Sequence, residues 1–287
     1  MTKQSAKRIF RACVDCLPQA VSERVVRMHP RFAIAAGAAH GDYGFFRFAP
    51  TDTSILPAYA RTGSWAKGTN DLLMEFFAAG EGSYFDIGAN VGLTTIPVAA
   101  RYPLVRCTAF EPEPENFAHL RENVRRNVIH GNVEIHRVAI LEHRGTVRLG
   151  IADDNKGDHR VNFTEGGRRR VVDVPSAPLD SFDHPSKGPL AVKIDTQGAE
   201  PFVIKSGASL LGQSELVILE FWPHGMKELG GDPEIVIEFI GGFAQVAILE
   251  SESDAAPAYQ TARHACSELR KLIGEKDHIY VDVVARR

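Results

Sequence analysis

Between residues 83 and 141 the chain alternates apolar runs of strand length with stretches of helical spacing, and this alternation constrains the fold most. SYFDI (83–87) reads as a short strand, and VGLTTIPVAARY after it has helical spacing, with Pro97 predicting a late start or a kink. RCTAFEPE (106–113) is a second strand. ENFAHLRENVRRNV (115–128) sets Phe117, Leu120 and Val124 on one face and charges on the other, the pattern of a surface helix. NVEIHRVAIL (132–141) is a third strand, so β-α-β-α-β order implies a parallel sheet with helices on its faces. PLAVKID (189–195) and ELVILEFW (215–222) extend the sheet, with a helix from about 200 to 211 between them. FAQVAILE and HIYVDVVA read as a final antiparallel pair.

The rest of the chain falls outside this rhythm. GTVRLGI (145–151) and RRRVVDVPSAPL (168–179) form a hairpin-type pair around a polar loop, an insert at about 145–178. Residues 70–79, NDLLMEFFAA, read as a short amphipathic helix stopped by Gly80 and Gly82. Before it, residues 8–26 have rough helical spacing and YGFFRFAPTD (43–52) is a strand running into a turn. We therefore divide the chain into an N-terminal extension, 1–69, placed to act as a substrate lid, and a main domain, 70–287.

Charge and composition narrow the partners. A net charge of −3 gives no overall positive field to draw nucleic acid or anionic lipid. No apolar run approaches the roughly 20 residues that span a bilayer, and the basic N-terminus lacks the apolar core of a signal peptide. Cys13 and Cys16 form a lone CxxC with no second pair to complete a zinc site, and buried thiols are the expected reading. A reducing, cytoplasmic setting fits these features.

The residues with chemistry fall at strand ends, where open parallel sheets bind ligands. Asp86 and the loop of Gly88, Asn90 and Gly92 follow the first strand, Glu111 the second, Asp195 the fourth, and Glu220 and His224 the fifth. A nicotinamide site reads GxGxxG so that the pyrophosphate can sit on a helix N-terminus. Here Leu93 holds the place of the last glycine, and Asp86 would repel a phosphate while suiting a cationic amine. S-adenosylmethionine (SAM) has that amine and no phosphate. Glu111 is placed to accept from its ribose hydroxyls. Asn90 tolerates left-handed backbone geometry, and its amide could bond the carboxylate end of such a cofactor.

DIGANVGLTT, AFEPEPENFAHLRENV, KIDTQGAE and VILEFWP, in this order, resemble the motif set of the FkbM-type SAM-dependent methyltransferases over about residues 70–223. The resemblance implies a Rossmann-like class I methyltransferase fold, an α/β sheet of seven strands with the last antiparallel. It also implies O-methylation of a sugar, glycolipid, glycan or natural-product hydroxyl. It places Asp86, Gly88, Ala89, Asn90 and Gly92 around the methionine part of SAM, Glu111 and Pro112 at the ribose with Asn116 nearby, and Val138 and Ala139 along the adenine. Where many members have Glu in KIDxEG this chain has Gln197, which as an amide can orient neighbours without carrying charge.

Methyl transfer from a sulfonium is an in-line displacement in which positioning supplies much of the acceleration, and a base helps a poor hydroxyl nucleophile. Asp195 is the first candidate base. Glu220 could be a base, a substrate contact or a supporting acid, and His224 an alternative base or a surface histidine. Lys193 shares a strand face with Asp195 and could pair with a carboxylate or be structural. Asp195 and Glu220 offer oxygen ligands to Mg²⁺, but nothing demands it and metal-free catalysis is expected. Arg168, Arg169 and Arg170 could grip an anionic glycan or form a solvated turn, and Trp65 or Trp222 could stack on a sugar ring or simply belong to the core. The competing readings are a methyltransferase acting on RNA or protein, and a SAM-binding protein without catalysis. Against base methylation, no [DN]PP[YF] tetrapeptide follows the fourth strand.

Overall fold

A computed structural model describes residues 34, 37–152, 155–161, 170–183, 188–250, 256–275 and 279–287. The helical spacing at 8–26, Cys13, Cys16, Arg168 and Arg169 lie outside these residues. The described chain begins with an antiparallel hairpin of β1 (Ala38–Gly41) and β2 (Gly44–Arg47), followed by α1 (Ile55–Thr62) and α2 (Lys67–Phe76). Asp52 starts α1 by accepting the N–H groups of Ser54 and Ile55 on one oxygen and of Leu56 on the other. These are donors a helix N-terminus otherwise leaves unpaired.

The alternating region folds as its pattern requires. Strands β3 (Glu81–Ile87), β4 (Leu104–Phe110) and β5 (Val133–His136) are parallel neighbours, linked by α3 (Thr95–Arg101) and α4 (Pro114–Asn127). Helix α3 does start late. Pro97 thereby falls in its first turn, where a missing N–H costs no intrahelical bond. The third expected strand divides: β5 ends at His136, and β6 (Ala139–Ile140) joins a second sheet with β7 (Gly145–Ile151), β8 (Arg160–Val161) and β9 (Arg170–Ala177). In that sheet β7 and β9 are antiparallel, from Gly145 opposite Ser176 to Ile151 opposite Arg170. The insert is thus the pair its sequence announced.

Strand β10 (Leu190–Ile194) returns to the main sheet beside β3, and β11 (Leu216–Phe221) lies beside β10. The single helix expected between them is two, α5 (Glu200–Ser206) and α6 (Ala208–Gln213). The break is at Gly207, where a Cβ would come within 2.6 Å of the Leu179 side chain. After α7 (Pro223–Glu228) and α8 (Pro233–Ile240) come β12 (Gln245–Glu250), β13 (Gln260–Thr261), α9 (Ala262–Ile273) and β14 (Val281–Arg286). The main sheet runs β13-β12-β14-β11-β10-β3-β4-β5, with β14 antiparallel to both β11 and β12. This Rossmann-like α/β sheet has eight strands rather than the expected seven. The extra one is β13, a two-residue pairing with β12 that leads into α9, whose N-terminus Thr261 caps.

Each strand feeds two cores because successive side chains point to opposite faces. Phe85, Ile87, Val192 and Ile194 pack with α5 and α8, while Tyr84 and Ala191 pack with α2 and α3. Asp86 and Lys193 lie on the Tyr84 face and are direct partners across β3 and β10. A third core joins Phe46, Phe48, Leu56 and Tyr59 of the N-terminal hairpin and α1 to Val91, Leu93 and Ile96 of the glycine loop and α3. The N-terminal segment is therefore packed directly on the loop. Among the described residues, no helix is long and apolar enough to cross a membrane.

Candidate functional site

A cleft of about 490 Å³ opens beyond the carboxyl ends of β3, β4, β10 and β11, within the range of about 300–1,000 Å³ usual for small-molecule sites. Gly88, Ala89, Asn90, Glu111, Pro112, Asn116, Val138, Ala139, Asp195, Gln197 and Glu220 all line it. Asp86, Gly92 and His224 do not.

The glycine loop is shaped by what it passes. Gly88 has φ +85°, and a Cβ there would sit 1.8 Å from the Asp195 carbonyl oxygen, so only glycine fits between the ends of β3 and β10. Asn90 takes the left-handed conformation expected of it, with φ +52°. Its backbone N–H donates to Glu111 Oε2 at 2.9 Å, and the Glu113 N–H donates to Oε1 at 2.8 Å. Burial pushes the Glu111 carboxyl up to about 8, although both N–H groups pull it back. Glu113 in turn caps α4, accepting the Asn116 N–H at 2.6 Å. Gly92 serves packing: a Cβ there would meet Ile96 and Leu120 at 2.8 Å.

Asp86 has a different place from the one the resemblance implies. It is fully buried behind the loop, accepts the hydroxyls of Thr94 and Thr95 at 2.6 Å each, and faces Lys193 Nζ at 3.6 Å. Lys193, its partner on the same face, and Thr94 line the cleft, while the Asp86 carboxylate is held behind them at the start of α3 and does not. Lys193 also pairs with Asp195 Oδ2 at 3.3 Å, which answers the question of its partner. Burial opposes its charge, but Asp195 and Asp86 outweigh that and hold its ammonium above the usual range.

At the other end of the cleft, three predicted residues form one unit. Gln197 Nε2 donates to Asp195 Oδ1 at 2.9 Å and to Glu220 Oε2 at 3.1 Å. A glutamate there would set a third acid between two carboxyls, whereas the amide supplies a donor to each. Burial pushes Glu220 well above the usual carboxylate range, reinforced by Asp195, Glu200 and Asp282. Gln197 is itself left-handed, with φ +56°. Glu200 braces that turn by accepting from the Thr196 N–H, the Thr196 hydroxyl and the Gly198 N–H, and burial pushes its carboxyl up to about 7.

Two further residues take the second of their expected readings, surface and core. His224 sits in α7, half exposed and 3.3 Å from Glu228, because the helix that starts at Pro223 turns it away from the cleft. Trp222 lines the cleft but is buried, with little of its ring open. The Arg160 guanidinium lies 4.3 Å from its ring centroid, and Gly225 packs so closely on the indole that a Cβ would sit at 2.1 Å. Trp65 does line the cleft, and Arg170 is exposed at the start of β9. Among the described residues, no group of three or more His, Cys, Asp or Glu side chains is arranged to hold a metal ion.

Reading strand ends alone misses two contributions. Asp282 lines the cleft and stands opposite Glu220 across β14 and β11. Its signal was present: an acid between valines in an otherwise apolar strand. Lys156 and Arg160 come from the polar loop of the insert, where no motif marks them.

Residues 86–252, more than half of the chain, match the family model described as the methyltransferase FkbM domain. The 31-O-demethyl-FK506 methyltransferase FkbM of Streptomyces tacrolimicus is 36% identical over 101 residues, covering 35% of this chain and 30% of that protein. The alignment thus spans under a third of that relative's length. Among solved structures, the methyltransferase FkbM from Methylobacillus flagellatus KT shares 13% identity over 72% of this chain and 44% of its own, with a TM-score of 0.44. A precorrin-6y C5,15-methyltransferase from Geobacter metallireducens GS-15 shares 11% identity over 76% of this chain and 88% of its own, with a TM-score of 0.39. By the extent of the family match, which takes in the glycine loop, Glu111, Asp195 and Glu220, this chain belongs to the FkbM methyltransferase domain family.

Proposed function

We propose that the protein is a SAM-dependent O-methyltransferase acting on a hydroxyl of a sugar, glycolipid, glycan or natural product. The observation that carries this reading is the Asp195–Gln197–Glu220 unit in the same cleft as the glycine loop. The named acceptor of the Streptomyces relative, a 31-O-demethyl compound, agrees with chemistry at oxygen.

The cleft residues suit the cofactor. Glu111 offers a carboxyl group whose oxygens each accept one N–H and keep further lone pairs for ribose hydroxyls. Val138 and Ala139 give an apolar wall for an adenine. Asn90 and Asn116 line the same part of the cleft as Glu111. When bound, SAM supplies an electrophilic methyl group on a sulfonium.

The protein's own part is to orient the acceptor hydroxyl and take its proton. Asp195 is the base. Its Oδ1 is fixed by Gln197, its Oδ2 faces the Lys193 ammonium, and its side chain is 41% exposed. Glu220, which burial pushes well above the usual carboxylate range, serves as the supporting acid. Asp195→Asn keeps the shape and removes the base, so it should retain SAM binding by calorimetry. It should lose about 10²–10⁴-fold in labelled methyl transfer to a panel of sugars and glycolipids. Unchanged transfer would remove Asp195 as the base.

A further inference from the structure

The insert reaches the cofactor half of the cleft through one backbone atom. Asn116 Nδ2 donates to the Lys156 carbonyl oxygen at 2.8 Å, and Asn90 Nδ2 donates to the same oxygen at 3.2 Å. One donor stands on the glycine loop and the other in the first turn of α4, so a single carbonyl ties the insert to both elements. Lys156 is itself buried, its Nζ 3.3 Å from the Ala152 carbonyl and 3.7 Å from Glu115 at the start of α4. Next to it, Gly157 faces Ile55 of α1 at ordinary contact distance. The local turn is closed by the Gly157 N–H on Asn155 Oδ1 and the Asp158 N–H on the Asn155 carbonyl.

The same short segment builds the acceptor side. The Arg160 guanidinium carbon lies 4.3 Å from the Trp222 ring centroid, its Nε donates to Asp158 at 2.7 Å, and its Nη1 donates to Glu228 at 3.2 Å. Residues 155–161 therefore run from the cofactor loop to the wall beside Glu220, and all of them line the cleft.

We propose that residues 155–161 are a strap that closes on the cofactor through the Lys156 carbonyl, so that cofactor binding sets the acceptor wall. The inference rests on SAM binding in this cleft. Asn90 and Asn116 act as positioning residues: each lines the cleft and turns its amide nitrogen to the strap. A cofactor packed against both side chains would fix their amides and tighten their hold on Lys156. Cofactor binding would then favour acceptor binding, because residues 155–161 carry both the Lys156 carbonyl and Arg160.

Amide hydrogen exchange at Gly157 and Asp158 tests this on the full chain, with S-adenosylhomocysteine as probe and calorimetry to confirm occupancy. In the wild type, saturation should slow exchange at both amides about tenfold or more. Asn116→Ala, and separately Asn90→Gly, which keeps the left-handed backbone, should speed exchange in the unliganded protein by about fivefold, the loss of one hydrogen bond. Each should also shrink the protection conferred by the probe. If the probe binds and exchange at Gly157 and Asp158 does not change, the strap is refuted while the SAM site stands. If calorimetry shows no binding to the wild type, the SAM site is refuted and the strap with it.

Discussion

Glu111 is 5% exposed, carries one N–H on each carboxylate oxygen, and is still pushed up to about 8 by burial. Below about pH 4.5 the folded and unfolded chains both hold its proton, and between there and about pH 8 only the folded chain does. The stability it contributes is therefore fully present at low pH and lost as pH rises through that window. Glu200, up to about 7, and Glu220 act in the same direction. Denaturant titrations from pH 5 to 9 should show a shallower fall in stability for Glu111→Gln than for the wild type, and equal slopes would contradict the burial. At Asp86 the neighbours decide the outcome in a different way. Its two threonine hydroxyls and Lys193 make it a buried structural pair, so Asp86→Ala should act on folding, costing about 3–5 kcal/mol in denaturant titration. A normally stable variant that had lost SAM affinity would return Asp86 to the cofactor. Sequence could place Asp86 on β3 but not decide which face of the strand it occupied, because the inward and outward patterns differ by one residue of register.

Helix α4 connects the cofactor loop to the N-terminal hairpin, and its asparagines do so by imitating a peptide group. Asn123 Oδ1 accepts the Arg47 N–H at 2.7 Å, while its Nδ2 donates to the Arg47 carbonyl at 3.0 Å and to the Val91 carbonyl at 2.9 Å. One turn on, Asn127 brackets Phe45 in the same way at 3.1 and 2.8 Å. The side chains therefore extend the hairpin edge as a strand would, inside a region where Asn123 is fully buried. Asn123→Ala removes three hydrogen bonds and leaves backbone groups of β2 and the loop unpaired. It should cost about 2–4 kcal/mol in denaturant titration, and a loss under about 0.5 kcal/mol would mean that the hairpin docks by apolar contact alone. These asparagines look like ordinary surface residues in ENFAHLRENVRRNV, since helical spacing marks the apolar stripe and not a polar side chain with a backbone partner. The alternation, the two glycine-bearing loops and the insert pair were readable because each rests on local periodicity or turn chemistry. The break at Gly207 and the division of the third strand depend on contacts with Leu179 and with β9, which no local pattern carries.

At the scale of the molecule, the site is an assembly of distant segments around one sheet edge. Glycine loop, Glu111 and Asp195 were legible because strand ends in a parallel sheet must converge. Asp282 and the 155–161 segment were not placed, because antiparallel pairing of β14 with β11 and the path of the insert are tertiary facts. His224 followed a strand end in sequence, yet α7 carries it off the site. The central claim is that this cleft is a SAM site, and titration calorimetry with the purified protein tests it most directly. SAM should bind with one site per chain and Glu111→Ala should weaken it, while NAD gives no heat. Binding of NAD with no binding of SAM would contradict the account.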